Sequence, residues 1–446
     1  MKNKSALLFL VLALASLLLG ILFGLLASLQ YINSDFLKEY IAFNKMRPFH
    51  VTTVVSWIIL CAIGSIYFFI TNLEKHTLYS QRLVKVHFMV FLLTGIAIYI
   101  SYFLGKMEGR EYLAYSPILT IPILLGWILF GINYFKTIRK KISEWPVYYW
   151  MWGTGIVFMI YHLCEAHLWV FPYFREHFIK DISVQWKSYG SFVGSWNMLV
   201  YGTAIYVMAK IKNDKVSAKN KTVFFFYFLG LTNLMFGWAH HTYLIPTQPW
   251  VRYVAYAISM TEWIVLGHII YSWVKSLSKE QKDKYNMAYK FLKAADFWVF
   301  INIILALLFS IPAINYFTHG THITVAHSMG TTIGINTTIL LASLFFITQN
   351  ISPNYKATPS FLTKNYYIFN ISLFLFFCTL IYAGIKRSNW MYFSKDVPFS
   401  TMQDELHTTY IAFFVFGLCL VFSITSLSIV LLKRLKKALN GKYNFE

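Results

Sequence analysis

Long apolar runs recur from one end of the chain to the other, and they leave little choice of fold. Twelve stretches of about 20 or more residues each suffice to cross a bilayer core roughly 30 Å thick: 6–31, 50–72, 82–105, 114–135, 146–171, 186–209, 222–245, 250–274, 294–313, 321–348, 366–386 and 408–432. Over the 446 residues, 57% are hydrophobic, 19% aromatic and only 13% charged, which no soluble domain of this size matches. The expected product is an all-α integral membrane protein, a single polytopic domain over 1–446, with no soluble module and no short repeat. The first run follows "MKNKS" without a small-residue cleavage site and reads as a retained helix rather than a removed signal peptide.

A net charge of +21 suggests nucleic acid at first sight, but the charges are distributed as in a membrane protein. With the N-terminus inside and twelve crossings, the inner segments hold 27 of the 39 Lys and Arg and the outer segments hold 12. That bias puts both termini in the cytoplasm. The four cysteines are scattered through apolar segments, with neither CxxC nor CxxCH, so a disulfide framework and covalent c-type haem are both unexpected in this chain.

Ionisable side chains inside a membrane are costly and mark function by default. Here they are few, and the topology gives each a depth. His50 opens span 2 at its outer end. His162, Glu165 and His167 of "YHLCEAHLWVFP" lie in the outer half of span 5, His240 and His241 of "GWAHHTYLIP" near the outer end of span 7, and His327 in the first turns of span 10. Glu262 lies deeper, near the middle of span 8, and Asp296 is set near the inner mouth of span 9. Four helices thus bring histidines to one outer layer. Neutral imidazole binds haem iron and borderline metals. His240 and His241 point about 100° apart on one helix, so two such rings grip an ion from one wall without completing its coordination. His327 and Met329 face opposite sides of their helix, as if each served a different haem. His87 and His268 read instead as packed, hydrogen-bonded groups. His319 and His322 read equally as outer-loop polar residues and as partners for haem propionates.

These residues resemble, essentially end to end, the large catalytic subunit of cytochrome c-dependent bacterial nitric oxide reductase, within the haem-copper oxidase superfamily. The most specific passages are "INYFTHGTHITVAH" (314–327), "GWAHHTYLIP" (237–246), the "MTEW" around Glu262, and "RPFH" ending at His50. The resemblance implies a twelve-helix, subunit I-like bundle in the bacterial cytoplasmic membrane. It implies two haems b, one low-spin and one high-spin, and a non-haem iron or copper. It implies NO as a gaseous substrate and a cytochrome c-type partner subunit or donor, with no nucleic acid. By position, His327 is the proximal ligand of the high-spin haem, His50 an axial ligand of the low-spin haem, His240 and His241 ligands of the non-haem metal, and Glu262 the buried acid that delivers protons.

This sequence departs from the family pattern twice. Met329 stands where the family has a second histidine, implying a His-Met low-spin haem. Span 6, "QWKSYGSFVGSWNMLVYGTAIYVMAK", has no histidine or acid where the family places further metal ligands; Gly190 and Gly194, or Asn197 and Tyr201, fall there. The expectation is that His162, Glu165 and His167 of span 5 supply the missing ligands, reaching through the space left by the span 6 glycines. The bland alternative is a polar packing patch beside a degraded metal site. An oxygen reductase or another NO conversion on the same scaffold, and a haem protein with no turnover, are the rival functions.

Overall fold

A computed structural model describes residues 4–138, 141–214, 217–241, 248–309, 311–351 and 360–440; the side chains of Ser217, His240, His241, Ser259, Met260 and Trp263 lie outside the described set. Among the described residues the chain is helical, and no strand forms. The long helices in chain order are α1 (Lys4–Leu29), α2 (Phe43–Phe68), α3 (Gln81–Phe103), α4 (Thr120–Thr137), α5 (Val147–Glu165), α6 (Phe178–Lys212), α7 (Lys221–Phe236), α8 (Pro249–Ser276), α9 (Asn286–Phe309), α10 (His322–Ile351), α11 (Ser360–Phe393) and α12 (His407–Leu439).

Every apolar run in the sequence folds as a long helix, and among the described residues ten of these helices are long and apolar enough to cross a membrane. The other two are α5 and α8. In α5 the 19 residues include Tyr148, Tyr149, Trp150, Trp152, Tyr161, His162 and Glu165; in α8 Arg252, Glu262, His268 and Lys275 interrupt the run. In α5 polar and amphipathic side chains dilute the apolar stretch without preventing the helix; in α8 the side chains of Ser259, Met260 and Trp263 lie outside the described set.

The sequence pattern also missed some boundaries. α6 begins at Phe178 rather than 186, and α9 at Asn286 rather than 294. The second shift adds two turns carrying Lys290 and Lys293 ahead of Asp296, which stays one turn past Lys293 at the start of the apolar stretch. Pro312 then opens a separate short helix, Pro312–Thr318, since proline suits a first turn and not a helix interior.

α2, α6 and α10 are the most buried of the candidate spans. Polar side chains tie them together: Trp57 Nε1 of α2 donates to Thr337 Oγ1 of α10 at 3.1 Å, Ser343 and Ser65 hydroxyls meet at 2.8 Å, and Asn336 Nδ2 of α10 donates to Asn197 Oδ1 of α6 at 3.1 Å. Where lipid replaces water, close packing and such bonds hold helices together, because tails are as apolar as leucine. α10 contains a wide π-helical stretch, Gly330–Thr337, directly after the turn that carries His327. Such insertions are rare and recur at functional sites.

Candidate haem and metal site

The histidine-bearing helix ends meet at one end of the bundle. Tyr31, just beyond α1, lies 6.1 Å from His322 at the start of α10. Trp186, near the start of α6, lies 5.9 Å from His319. Lys187 of α6 reaches Glu165 at the end of α5, and Gly190 of α6 abuts Trp238, two residues before His240. These contacts bring the loop and helix ends that carry His319, His322 and Glu165 together.

His50 is built as a ligand would be. Its Nδ1 lies 2.7 Å from the Gly20 carbonyl of α1. That contact makes Nδ1 the donor and leaves Nε2 with its lone pair, the arrangement that orients a metal-binding imidazole. A side chain on Gly24 would stand 2.8 Å from the His50 ring, so only glycine leaves room for the imidazole there.

His327 is buried in the second turn of α10, edge-on to Phe309 at 5.5 Å. The loop before that helix is shaped by Gly320, whose φ of 72° suits glycine, and by Thr321, whose side chain caps the helix by accepting from the Ile323 N–H. His319 remains outside the helix, and burial lowers its pKa. His322 Nδ1 and Arg387 Nε of α11 are buried polar atoms with no hydrogen-bond partner among the described residues. Orphans of this kind fit an anionic group such as a haem propionate. The residues present therefore fit a haem held at this end of the bundle. Met329 is half-buried against the core.

Glu262 of α8 is 5% exposed. Its carboxylate accepts from Asn233 Nδ2 of α7. A Cβ on Gly230 would stand 3.2 Å from Glu262 Oε1 and 3.0 Å from Met198 Cε, so α6, α7 and α8 close around the acid. Asn233 was not visible to sequence reasoning; a lone amide in an apolar run was its only signal. The backbone of His240 and His241 continues α7 as a 3-10 turn, Gly237–His241, and their side chains lie outside the described set.

The span 5 trio behaves differently from the expectation. Glu165 receives Lys187 Nζ at 2.5 and 2.6 Å and pairs with His162 Nδ1 at 2.8 Å. His167 turns away, with Nε2 2.8 Å from Thr120 Oγ1 and Nδ1 2.8 Å from the Leu163 carbonyl. The glycines of span 6 do not open space toward α5. Trp238 and Leu234 pack into them, with a Cβ on Gly190 falling 2.5 Å from Trp238 Cβ and one on Gly194 falling 2.9 Å from Leu234 Cα. Among the described residues, no three His, Cys, Asp or Glu side chains are grouped to hold a metal. His87 is a packed histidine, as expected, ringed by Phe9, Phe91 and Phe130, with Nδ1 3.3 Å from Tyr67 Oη.

Known proteins place this arrangement. The sequence profile of the family described as cytochrome c and quinol oxidase polypeptide I matches residues 4–419. A nitric oxide reductase component from Stutzerimonas stutzeri is 23% identical over 331 residues, 69% of this chain and 67% of that protein. A cytochrome c oxidase subunit 1 homolog of Agrobacterium tumefaciens (strain T37) is 22% identical over 353 residues, 74% and 64% of the two chains. A cbb3-type cytochrome c oxidase subunit of Stutzerimonas stutzeri, CcoN1, is 21% identical over 250 residues, or 54% and 52%. The chain thus aligns with about half to two thirds of these relatives' lengths. A solved structure described as a haem-copper terminal oxidase dimer shares the fold, with a TM-score of 0.72 at 13% identity, over 97% of this chain and 84% of that one. The chain belongs to the cytochrome c and quinol oxidase polypeptide I family of haem-copper membrane oxidoreductases.

Proposed function

We propose that this protein reduces nitric oxide to nitrous oxide, 2 NO + 2 e⁻ + 2 H⁺ giving N2O and H2O. The bundle crosses the bacterial cytoplasmic membrane twelve times as one domain, with both termini in the cytoplasm and the histidine end outermost. In this reading His50 and Met329 hold a low-spin haem b, His327 a high-spin haem b, and His240 and His241 a non-haem iron or copper. When bound, these groups supply one-electron storage and the sites where the gas is held and reduced. Electrons come from a cytochrome c-type partner.

The observation that carries the reading is Glu262, a buried carboxyl held by Asn233, which stands two helical turns before His240 in the chain. A reaction that consumes two protons inside a protein needs an acid stationed beside it. Asn233 orients the carboxyl, and the helices around it exclude water. Protons enter from the histidine end: Lys187, Glu165 and His162 form a continuous chain of ionisable contacts there. Glu165 passes protons by exchange with His162, and no proton pumping accompanies turnover.

Oxygen reduction on the same scaffold is favoured by one residue. Tyr201 of α6 is 3% exposed, one turn beyond Asn197, similar to the tyrosine near the metal of oxygen reductases. NO and O2 consumption measured side by side on the purified protein, with haem, iron and copper quantified, tests both. NO turnover lost in His240→Ala and in His327→Ala supports the assignment; turnover that survives both changes overturns it.

A further inference from the structure

At the end of the bundle away from His319 and His322, the starts of α9 and α11 are fastened side by side. Lys290 Nζ of α9 donates to Thr363 Oγ1 of α11 at 3.2 Å, and Tyr366 Oη of α11 donates to the Lys290 carbonyl at 3.1 Å. Further along, the Phe297 and Phe374 rings lie 6.3 Å apart. The two helices therefore run in the same direction, with Lys290 level with Thr363 and Phe297 level with Phe374.

Three lysines gather at this junction without a counter-charge. Lys364 follows Thr363, and Lys293 lies one turn beyond Lys290; both are exposed. None of the three forms an ion pair with a described residue. Lys210 and Lys212 at the same end of the bundle are neutralised, by Glu74 and Asp214. The chain has no Asp or Glu from 297 to 395. Asp296, the acid nearest in sequence, has its Oδ1 toward α8, 3.6 Å from where a Cβ on Gly267 would stand. Beyond the lysines the same surface turns apolar. Lys293 and Phe297 share one face of α9, and Lys364, Tyr367, Ile371 and Phe374 share one face of α11, by their spacing of three and four residues. The four apolar and aromatic members are exposed by 40% or more.

We propose that this surface binds one anionic phospholipid, its phosphate held by the ammonium groups of Lys290, Lys293 and Lys364 and an acyl chain laid over Phe297, Ile371 and Phe374. Basic groups between helices at headgroup level attract anionic lipids. Lysine suits this position, since its stem lies along apolar surface while the ammonium stays at the interface. The Thr363 bond already holds Lys290 in the cleft, so one of the three cations is in place before the lipid arrives. Tyr367 lies where the surface passes from charged to apolar, the level that a tyrosine with one wet and one dry end prefers. A zwitterionic lipid brings its own ammonium to a cationic cleft and is disfavoured. Free phosphate makes no use of the apolar bed. The site needs only that this end of the bundle meets a membrane surface; that the surface is the inner leaflet rests on the topology proposed above.

Native mass spectrometry of the full-length protein, delipidated in detergent and titrated with phosphatidylglycerol, tests this. One phosphatidylglycerol is expected to stay bound under conditions that strip phosphatidylcholine. Lys293→Gln with Lys364→Gln, which leaves the Lys290–Thr363 bond in place, should weaken binding about tenfold or more, at roughly 1 kcal/mol per lysine. Lys293→Arg with Lys364→Arg should preserve it. Lys279→Gln with Lys284→Gln removes the same charge from the exposed linker before α9 and should leave binding unchanged. Excess inorganic phosphate should not displace the lipid. Equal retention of the two lipids, undiminished binding in the first glutamine pair, equal weakening by the linker pair, or displacement by inorganic phosphate overturns the proposal.

Discussion

The His50 imidazole hangs from the Gly20 carbonyl of the preceding helix by a 2.7 Å hydrogen bond, with Gly24 one turn further along clearing space for the ring. The bond fixes the tautomer, and the glycine fixes the position. Gly24→Val should therefore act like loss of the ligand itself. The expected outcome is that His50→Ala and Gly24→Val both lose the low-spin haem, lowering haem content from two per chain toward one, while Ala at Gly95, where a Cβ meets no atom within 4 Å, leaves two. Pyridine haemochrome analysis and the reduced-state absorption bands give the measurement.

Glu262→Gln keeps the shape of the side chain and its bond to Asn233 but removes the proton. General acid catalysis is typically worth about 10²–10⁴-fold. NO turnover should fall by roughly that factor with haem content unchanged, as followed with an NO electrode. Full activity in the glutamine variant would end the assignment of this acid.

Lys187→Met removes the cation that neutralises Glu165, whose side chain is 16% exposed against 27% for the lysine. Breaking a buried pair costs about 3–5 kcal/mol, and partial exposure reduces this, so a loss of about 2 kcal/mol is expected. Adding Glu165→Gln should recover most of it. Thermal unfolding of the three variants in one detergent measures the recovery; a double variant no more stable than Lys187→Met would show that the pair is not the source.

Gly190→Leu drives a side chain into Trp238. Overpacking costs about 1–3 kcal/mol where backbone cannot move. Because Trp238 lies two residues from His240, non-haem metal content should fall as well, read by elemental analysis alongside the melting temperature.

Much of the helix plan was readable because apolar length is a local property. All twelve runs became helices, ten of them, among the described residues, long and apolar enough to cross a membrane. What the pattern did not disclose was facing. Nothing local to "QWKSYG" says that Lys187 points at Glu165, or that Gly190 and Gly194 are filled by α7 and the turn that follows it rather than left open to α5. The start of α9 was missed because hydrophobic onset, at 294, lags the helix start at Asn286. The polar first two turns of α9 carry Lys290 and Lys293 and are invisible to an apolar window.

The wide turn from Gly330 to Thr337 gives α10 two characters in one length of chain. A regular spiral would commit every residue after His327 to the angular phase that His327 sets. The extra residue taken up in the wide stretch resets that phase. The front of the helix can then aim its imidazole into a pocket, while Thr338–Ile351 turns nearly every side chain into the packed middle of the protein. Removing one residue within 330–337 would keep the helix continuous yet rotate one half against the other by about 100°, forcing a choice between holding the ligand and seating the core.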